Sequence, residues 1–312
     1  MFRSLPLAAL LGAAVLSPAL AATGTGHDAP VATTAAPASS DQHAAATGHS
    51  APLPYAPSAQ PVAAAVPRVE AGPLCAGFGP QTPRDIRSGF GANPVAFALA
   101  PESTAMNLCN IHTHTSAEHA GPGFSISVGT GENGGYMCNG TTALTLAELE
   151  PVQGDAAFHG VQPGNTIEVH WVYSSCPVAP GQGLGSCMSD TCKNPELRVE
   201  SQVFLVVNDP NALDIRDFDY TGSVAPSGRH QPRALPTGTG APVVFMGSTT
   251  GTSYTQSICS PLQVTWSVRP DCAKIDVNSL HAWAAAGNAF NETHSHGVRP
   301  LVTAPELLAP IN

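Results

Sequence analysis

The chain of 312 residues carries 22 acidic against 12 basic side chains, a formal net charge of -10, and only 11% charged residues in all. No Lys/Arg cluster offsets that balance, which excludes nucleic acid as a partner, because phosphate binding needs a basic patch. No polybasic or amphipathic helical segment suits a membrane surface either. In chain order, Met1-Phe2-Arg3, an apolar run from Leu5 to Leu16 and the small-residue end at Ala19-Leu20-Ala21 predict a signal peptide over residues 1–21, too short to span a bilayer. The mature protein is therefore expected in the periplasm or secreted, with no membrane insertion after cleavage. Residues 22–70 are mostly Ala, Thr, Pro, Ser and Gly. Such a stretch buries too little apolar surface to offset its ordering entropy, and it predicts a disordered linker.

Residues 71–312 are long enough for one domain with a sizeable core. All eight cysteines fall there, and an even number in an exported chain predicts disulfides. The pairs expected are Cys75 with Cys259 and Cys109 with Cys138. Turn signals are dense, at Gly121-Pro122-Gly123, Glu132-Asn133-Gly134-Gly135, Pro163-Gly164 and Pro180-Gly181. Between them, period-two patterning predicts strands over 123–128, 166–173, 197–207, 243–246 and 262–268. Helical signals are few: one turn over 145–150, a helix start at 208–211, and a modest helix over 279–286 capped by Asn278. Strands outnumber helices and few connections are long enough for crossovers. The expected fold is mainly β (α+β), an antiparallel central sheet with a few short helices.

Two stretches carry the chemistry. In Asn110-Ile111-His112-Thr113-His114, read as a strand, Asn110 and both histidines share one face. In Thr166-Ile167-Glu168-Val169-His170-Trp171-Val172-Tyr173, one face holds Glu168, His170 and Val172. The other, with Ile167, Val169, Trp171 and Tyr173, is wholly apolar and belongs to the core. A paired His-x-His plus one histidine from another strand is the ligand set of an open zinc site, although His-x-His alone also occurs by accident on polar strand faces. A ligand imidazole needs an acceptor on its second nitrogen, and Glu168 and Asn110 are placed to supply one to His170 and His112. Alternatively, His119 replaces one ligand. Ser248-Thr249-Thr250-Gly251 offers hydroxyls on a turn after an apolar strand, able to orient a bound hydroxide; without other context it is an ordinary turn. His119, His159, His281, His294 and His296 are all candidates for carrying a proton away.

At these residues the chain resembles a known family. Asn110-Ile111-His112-Thr113-His114, Ala117-Glu118-His119, Ile167-Glu168-Val169-His170, Gly247-Ser248-Thr249-Thr250 and Val264-Thr265-Trp266 follow the order of the hallmark segments of α-class carbonic anhydrases. The stretch from about residue 72 onward looks closer still to bacterial δ-class carbonic anhydrases, through Cys109-Asn110-Ile111-His112, the run from Ala117 to Phe124, the run from Val169 to Cys176, and Ser279-Leu280-His281-Ala282-Trp283. The resemblance implies an α-carbonic-anhydrase-like fold and an enzyme, a carbonate dehydratase of the lyase class. It would hydrate carbon dioxide reversibly to bicarbonate and a proton by a zinc-bound hydroxide. It further implies Zn2+ on His112, His114 and His170, with Thr249 orienting the hydroxide, Glu118 as the carboxylate anchor of Thr249, and Val172 and Trp266 lining the substrate pocket. The competing readings are a cupin-like metal oxygenase or oxidase, in which Glu118 is a fourth ligand, and a non-catalytic exported metal-binding module.

Overall fold

A computed structural model describes residues 73–129, 134–154 and 156–311. The signal peptide and linker expected over 1–70 lie outside the described residues, as does the start of the turn expected at Glu132. Eight strands carry the fold: β1 Asn107–Thr115, β2 Ile126–Ser127, β3 Tyr136–Met137, β4 Thr166–Ser174, β5 Leu197–Val207, β6 Val243–Ser248, β7 Gln263–Val268 and β8 Ala273–Asp276. The described residues hold a single α-helix, α1 at Val277–Ala285, and a few short 3-10 turns. The mainly β expectation holds.

Six strands form one sheet in the order β1-β4-β5-β7-β6, with β8 also on β5, while β2 and β3 make a separate hairpin. The sheet is mixed and not antiparallel throughout. β1, β4 and β5 run antiparallel to one another, but β5 pairs in parallel with β7 at Arg198–Ser201 and with β8 at Phe204–Val207. One long strand thus serves two shorter ones along the same edge. Its residues are all buried, as expected for a strand packed on both faces.

The alternation on β4 divides two cores. Ile167, Val169, Trp171 and Tyr173 are all fully buried, as their apolar run requires, and they pack with Phe204, Ile275, Leu280 and Trp283. Val172, on the opposite face, joins Val199, Val203, Phe245, Val264 and Trp266. Both faces are covered, so the polar residues among the second group, His170 and Glu168, sit in the interior.

The helix begins two residues earlier than expected. Its cap is Asp276, whose carboxylate accepts from the backbone N–H of Asn278, instead of Asn278 itself. Asn278 Nδ2 donates to the same carboxylate at 3.0 Å, so the expected cap is spent supporting the actual one. At 208–211 the chain makes a turn, and the helical turn comes later, at Ile215–Asp217.

Four disulfides use all eight cysteines: Cys75–Cys259, Cys109–Cys187, Cys138–Cys272 and Cys176–Cys192. The first is as expected, but Cys109 does not pair with Cys138. A register shift between Leu108 and Asn110 places Cys109 at an irregularity of β1, and the 181–187 segment packs over it. Gly181 N–H and the Ser186 hydroxyl both donate to the Cys109 carbonyl, at 3.0 and 2.7 Å. Cys138 instead faces the loop before β8. Four bridges fit an oxidising, exported setting, and among the described residues no helix is long and apolar enough to cross a membrane.

Candidate metal centre

The antiparallel register of β1 and β4 sets His112 directly across from His170, His114 across from Glu168, and Asn110 across from Val172. Side chains at such positions share a face, so three imidazoles converge: one ring nitrogen from each of His112, His114 and His170 lies within 4.8 Å of the others. His112 Nε2 and His170 Nδ1 are 3.3 Å apart. A tetrahedral zinc site with metal–nitrogen arms of about 2.0–2.1 Å has nitrogen–nitrogen edges of roughly 3.3–3.4 Å. The His112–His170 edge matches that spacing, and the three-imidazole donor set has the chemistry that zinc takes.

The far nitrogen of each ring lies near a side-chain oxygen, and for His112 that contact is a hydrogen bond. His112 Nδ1 lies 2.7 Å from Asn110 Oδ1, and Asn110 Nδ2 donates to the Gly181 carbonyl at 2.9 Å, which fixes the amide's orientation. His170 Nε2 is 3.4 Å from Glu168 Oε1. His114 Nδ1 is 2.9 Å from Glu118 Oε1. Asn110 and Glu168 thus stand where the strand pattern put them. Such partners fix tautomer and direction, leaving the other nitrogen of each ring free for a metal.

Burial, reinforced by the neighbouring His114, His170 and His296, holds His112 well below the ordinary imidazole range, and burial likewise lowers His170. Both are accordingly neutral at pH 7, the state a metal needs. Burial acts the same way on His114, but Glu118 outweighs it and raises that imidazole.

Glu168 anchors more than one ring. Its Oε1 accepts from the Ser201 hydroxyl and faces His119 Nδ1 at 2.9 Å, while Oε2 accepts from the Glu118 backbone N–H at 2.7 Å. His119 therefore lies behind Glu168, fully buried, with its ring 4.9 Å from that of Trp266. It is not among the three converging imidazoles.

Glu118 does not reach Thr249. Ser116 adopts a left-handed backbone, φ 64°, and bonds to Thr166 through its N–H at 2.8 Å. The chain turns there, and the Glu118 N–H, pinned by Glu168, leaves its carboxylate under His114. Thr249 Oγ1 contacts Ser260 Oγ instead. Ser260 in turn is fixed by its N–H donating to Gln81 Oε1 at 2.8 Å. Sequence reasoning missed Ser260 because nothing local marks a serine eleven positions on as the partner of a threonine in a turn.

The imidazoles open into a cavity of about 540 Å³. Val172, Val199, Val264 and Trp266 form an apolar wall; Thr249 lies on its border, and His294 and His296 also line it. Trp266 donates its indole N–H to the Ser248 carbonyl at 3.0 Å, and its ring stands edge-on 4.9 Å from that of His170. His159 and His281 are not among the lining residues. Glu292, another residue the sequence did not single out, caps the outer edge of β1: its Oε1 accepts from the Thr113 N–H at 2.7 Å, and its Oε2 lies 3.1 Å from His296 Nε2.

Compared with known proteins, residues 103–279 match the family model described as Delta carbonic anhydrase. No curated protein and no solved structure matches the chain.

Proposed function

The chain belongs to the delta carbonic anhydrase family, and from that premise we propose that it hydrates carbon dioxide reversibly to bicarbonate and a proton, using zinc held by His112, His114 and His170. The observation that carries the reading is the convergence of three imidazole nitrogens within 4.8 Å of one another, one pair of them 3.3 Å apart, beside an apolar wall. When bound there, zinc supplies a Lewis acid that brings the pKa of water down to about 7, a value carried over from carbonic anhydrases as a class.

The chain's own residues do the rest. His112 Nε2, His114 Nε2 and His170 Nδ1 would hold the ion and, as uncharged imidazoles once bound, would leave its charge undiminished. Asn110, Glu118 and Glu168 hold those rings in direction. Val172 and Trp266, with Val199 and Val264, offer carbon dioxide, which has no net dipole, an apolar surface next to the reacting position. Thr249 orients the attacking oxygen by accepting from it, with Oγ1 held in place by its contact with the Ser260 hydroxyl. Ser260 thereby takes the anchoring part expected of Glu118, and Glu118 becomes the brace of His114.

The family match displaces the cupin-like oxygenase reading, and Glu118, committed to the Nδ1 side of His114, is not needed as a fourth ligand. Stopped-flow hydration of carbon dioxide by purified, zinc-loaded protein between pH 7 and 9 tests the proposal. The expected result is a rate above buffer that climbs with pH from about 7. Zinc bound in full without hydration would leave only the non-catalytic metal-binding module.

A further inference from the structure

Hydrating one carbon dioxide with water yields bicarbonate and one proton, and that proton must reach the solvent before the next turnover. A side chain that carries it must line the cavity, meet bulk water and offer a free ring nitrogen, and an imidazole suits the task near neutral pH. Outside the converging three, the described histidines differ on these counts. His119 is fully buried behind Glu168. His159, His230 and His281 do not line the cavity. His296 lines it, but its Nε2 is occupied by Glu292 Oε2 at 3.1 Å, and its backbone is bonded to Thr113 and Thr115 of β1. His294 lines the cavity and is exposed, and among the described residues its ring has no hydrogen-bond partner.

The backbone around His294 is fixed while its ring is not. Its carbonyl accepts from the Thr113 hydroxyl at 3.4 Å. The His159 N–H donates to the Thr293 carbonyl at 2.8 Å, and the Ser295 N–H donates to the His159 carbonyl at 3.4 Å. Asn288 closes the preceding turn, its Oδ1 accepting from the Glu292 N–H at 2.9 Å and its Nδ2 donating to the Glu292 carbonyl at 2.8 Å. The titratable groups around the ring are His296, 4.5 Å away between ring centres, and Glu292 on its own segment, with His159 on the segment bridged to it. We propose that His294 takes up the proton released at the metal centre, through water in the cavity, and delivers it to base in the solvent. One ring nitrogen binds the proton, the ring becomes imidazolium, and a buffer base removes the same proton, so nothing else is consumed. The inference rests on the hydration reading above. His294 lies beyond residues 103–279, so the family match does not carry it.

Hydration kinetics of zinc-loaded wild type and His294→Ala at low and high buffer test it, with bound zinc measured by atomic emission. The ratio kcat/KM covers the steps up to the departure of bicarbonate, whereas kcat also includes the exit of this proton. In His294→Ala, kcat at low buffer should fall by roughly 10-fold, short of the roughly 10²–10⁴-fold of a lost general acid or base because other bases still take protons. Bound zinc and kcat/KM should match wild type, and imidazole added to the solution should restore kcat with saturation. Unchanged kcat, an equal fall in kcat/KM, loss of zinc, or no rescue by imidazole would overturn the proposal. So would a rescued loss in His296→Ala with none in His294→Ala. His159→Ala, whose ring lies outside the cavity, should hydrate as wild type does. A loss there equal to that of His294→Ala would reveal a general effect of surface imidazoles and count against His294. Wild type that binds zinc but hydrates nothing defeats the hydration reading and this inference with it, whereas failure of the inference alone is seen only in His294→Ala.

Discussion

On one side of the cavity, His112, His114 and His170 stand on two paired strands, and the backbone ladder that holds β1 to β4 also sets the spacing of their rings. On the other side, Thr249 follows the end of β6 and enters a stretch with no regular structure, fixed by its N–H to the Leu262 carbonyl at 3.0 Å, by Ser260 and by Arg299. The strand wall gets its geometry from register, a property of many residues together. The turn wall gets it from a few side chains drawn from segments far apart in sequence. Retention of metal should therefore depend on the first wall and orientation of the reacting oxygen on the second.

Two substitutions separate these dependences. The largest effect is expected for His170→Ala, which removes a donor from the strand wall: bound zinc, measured by atomic emission, should be lost, and hydration with it. A variant that kept full zinc occupancy would remove His170 from the ligand set. Thr249→Ala, on the turn wall, should keep zinc at wild-type occupancy and slow hydration by on the order of 10–1000-fold, the cost of a lost orienting contact. Loss of zinc in Thr249→Ala would show that the walls are not independent.

The difference between the walls also governs how much of each was legible in the sequence. Side chains two apart on a strand share a face, so Asn110 beside His112 and Glu168 beside His170 followed from alternation alone, as did the buried Ile167, Val169, Trp171 and Tyr173. Alternation does not encode the direction of a neighbouring strand, and the parallel pairings of β5 with β7 and β8 were missed for that reason. Nor does it encode contacts between remote loops. Ser260, Glu292 and Arg299 act on residues tens or hundreds of positions away, or across a turn, with no motif to mark them. Glu118 was recognised as important but given the wrong partner, because the left-handed Ser116 and the hydrogen bond from its own N–H to Glu168 decide where its carboxylate ends up. Cys109 was misassigned for a similar reason: its mate arrives on the 181–187 segment, which the strand pattern does not place.

The smallest effect sharpens the strand wall itself. Glu168→Gln keeps the size of the side chain but removes the charge that faces His119 and His170 and accepts from Ser201 and the Glu118 N–H. Zinc affinity should fall by roughly 10-fold, since His170 keeps an acceptor but loses a carboxylate. The metal-free protein then reports the charge by its acid stability. Burial pushes the Glu168 carboxyl upward, but His119 and His170 outweigh it and hold the group well below its ordinary value of 4.5. With the folded pKa depressed, the unfolded chain takes up this proton first as pH falls, so acid favours unfolding. The contribution is fully present above about 4.5 and is lost as pH drops through the folded value. Thermal unfolding of metal-free wild type and Glu168→Gln across a pH series should therefore show a constant difference at neutral pH that narrows only below about 4.5. A difference already shrinking between pH 7 and 5 would mean that the carboxylate is not held by its histidines, and that the strand wall owes its order to the backbone ladder alone.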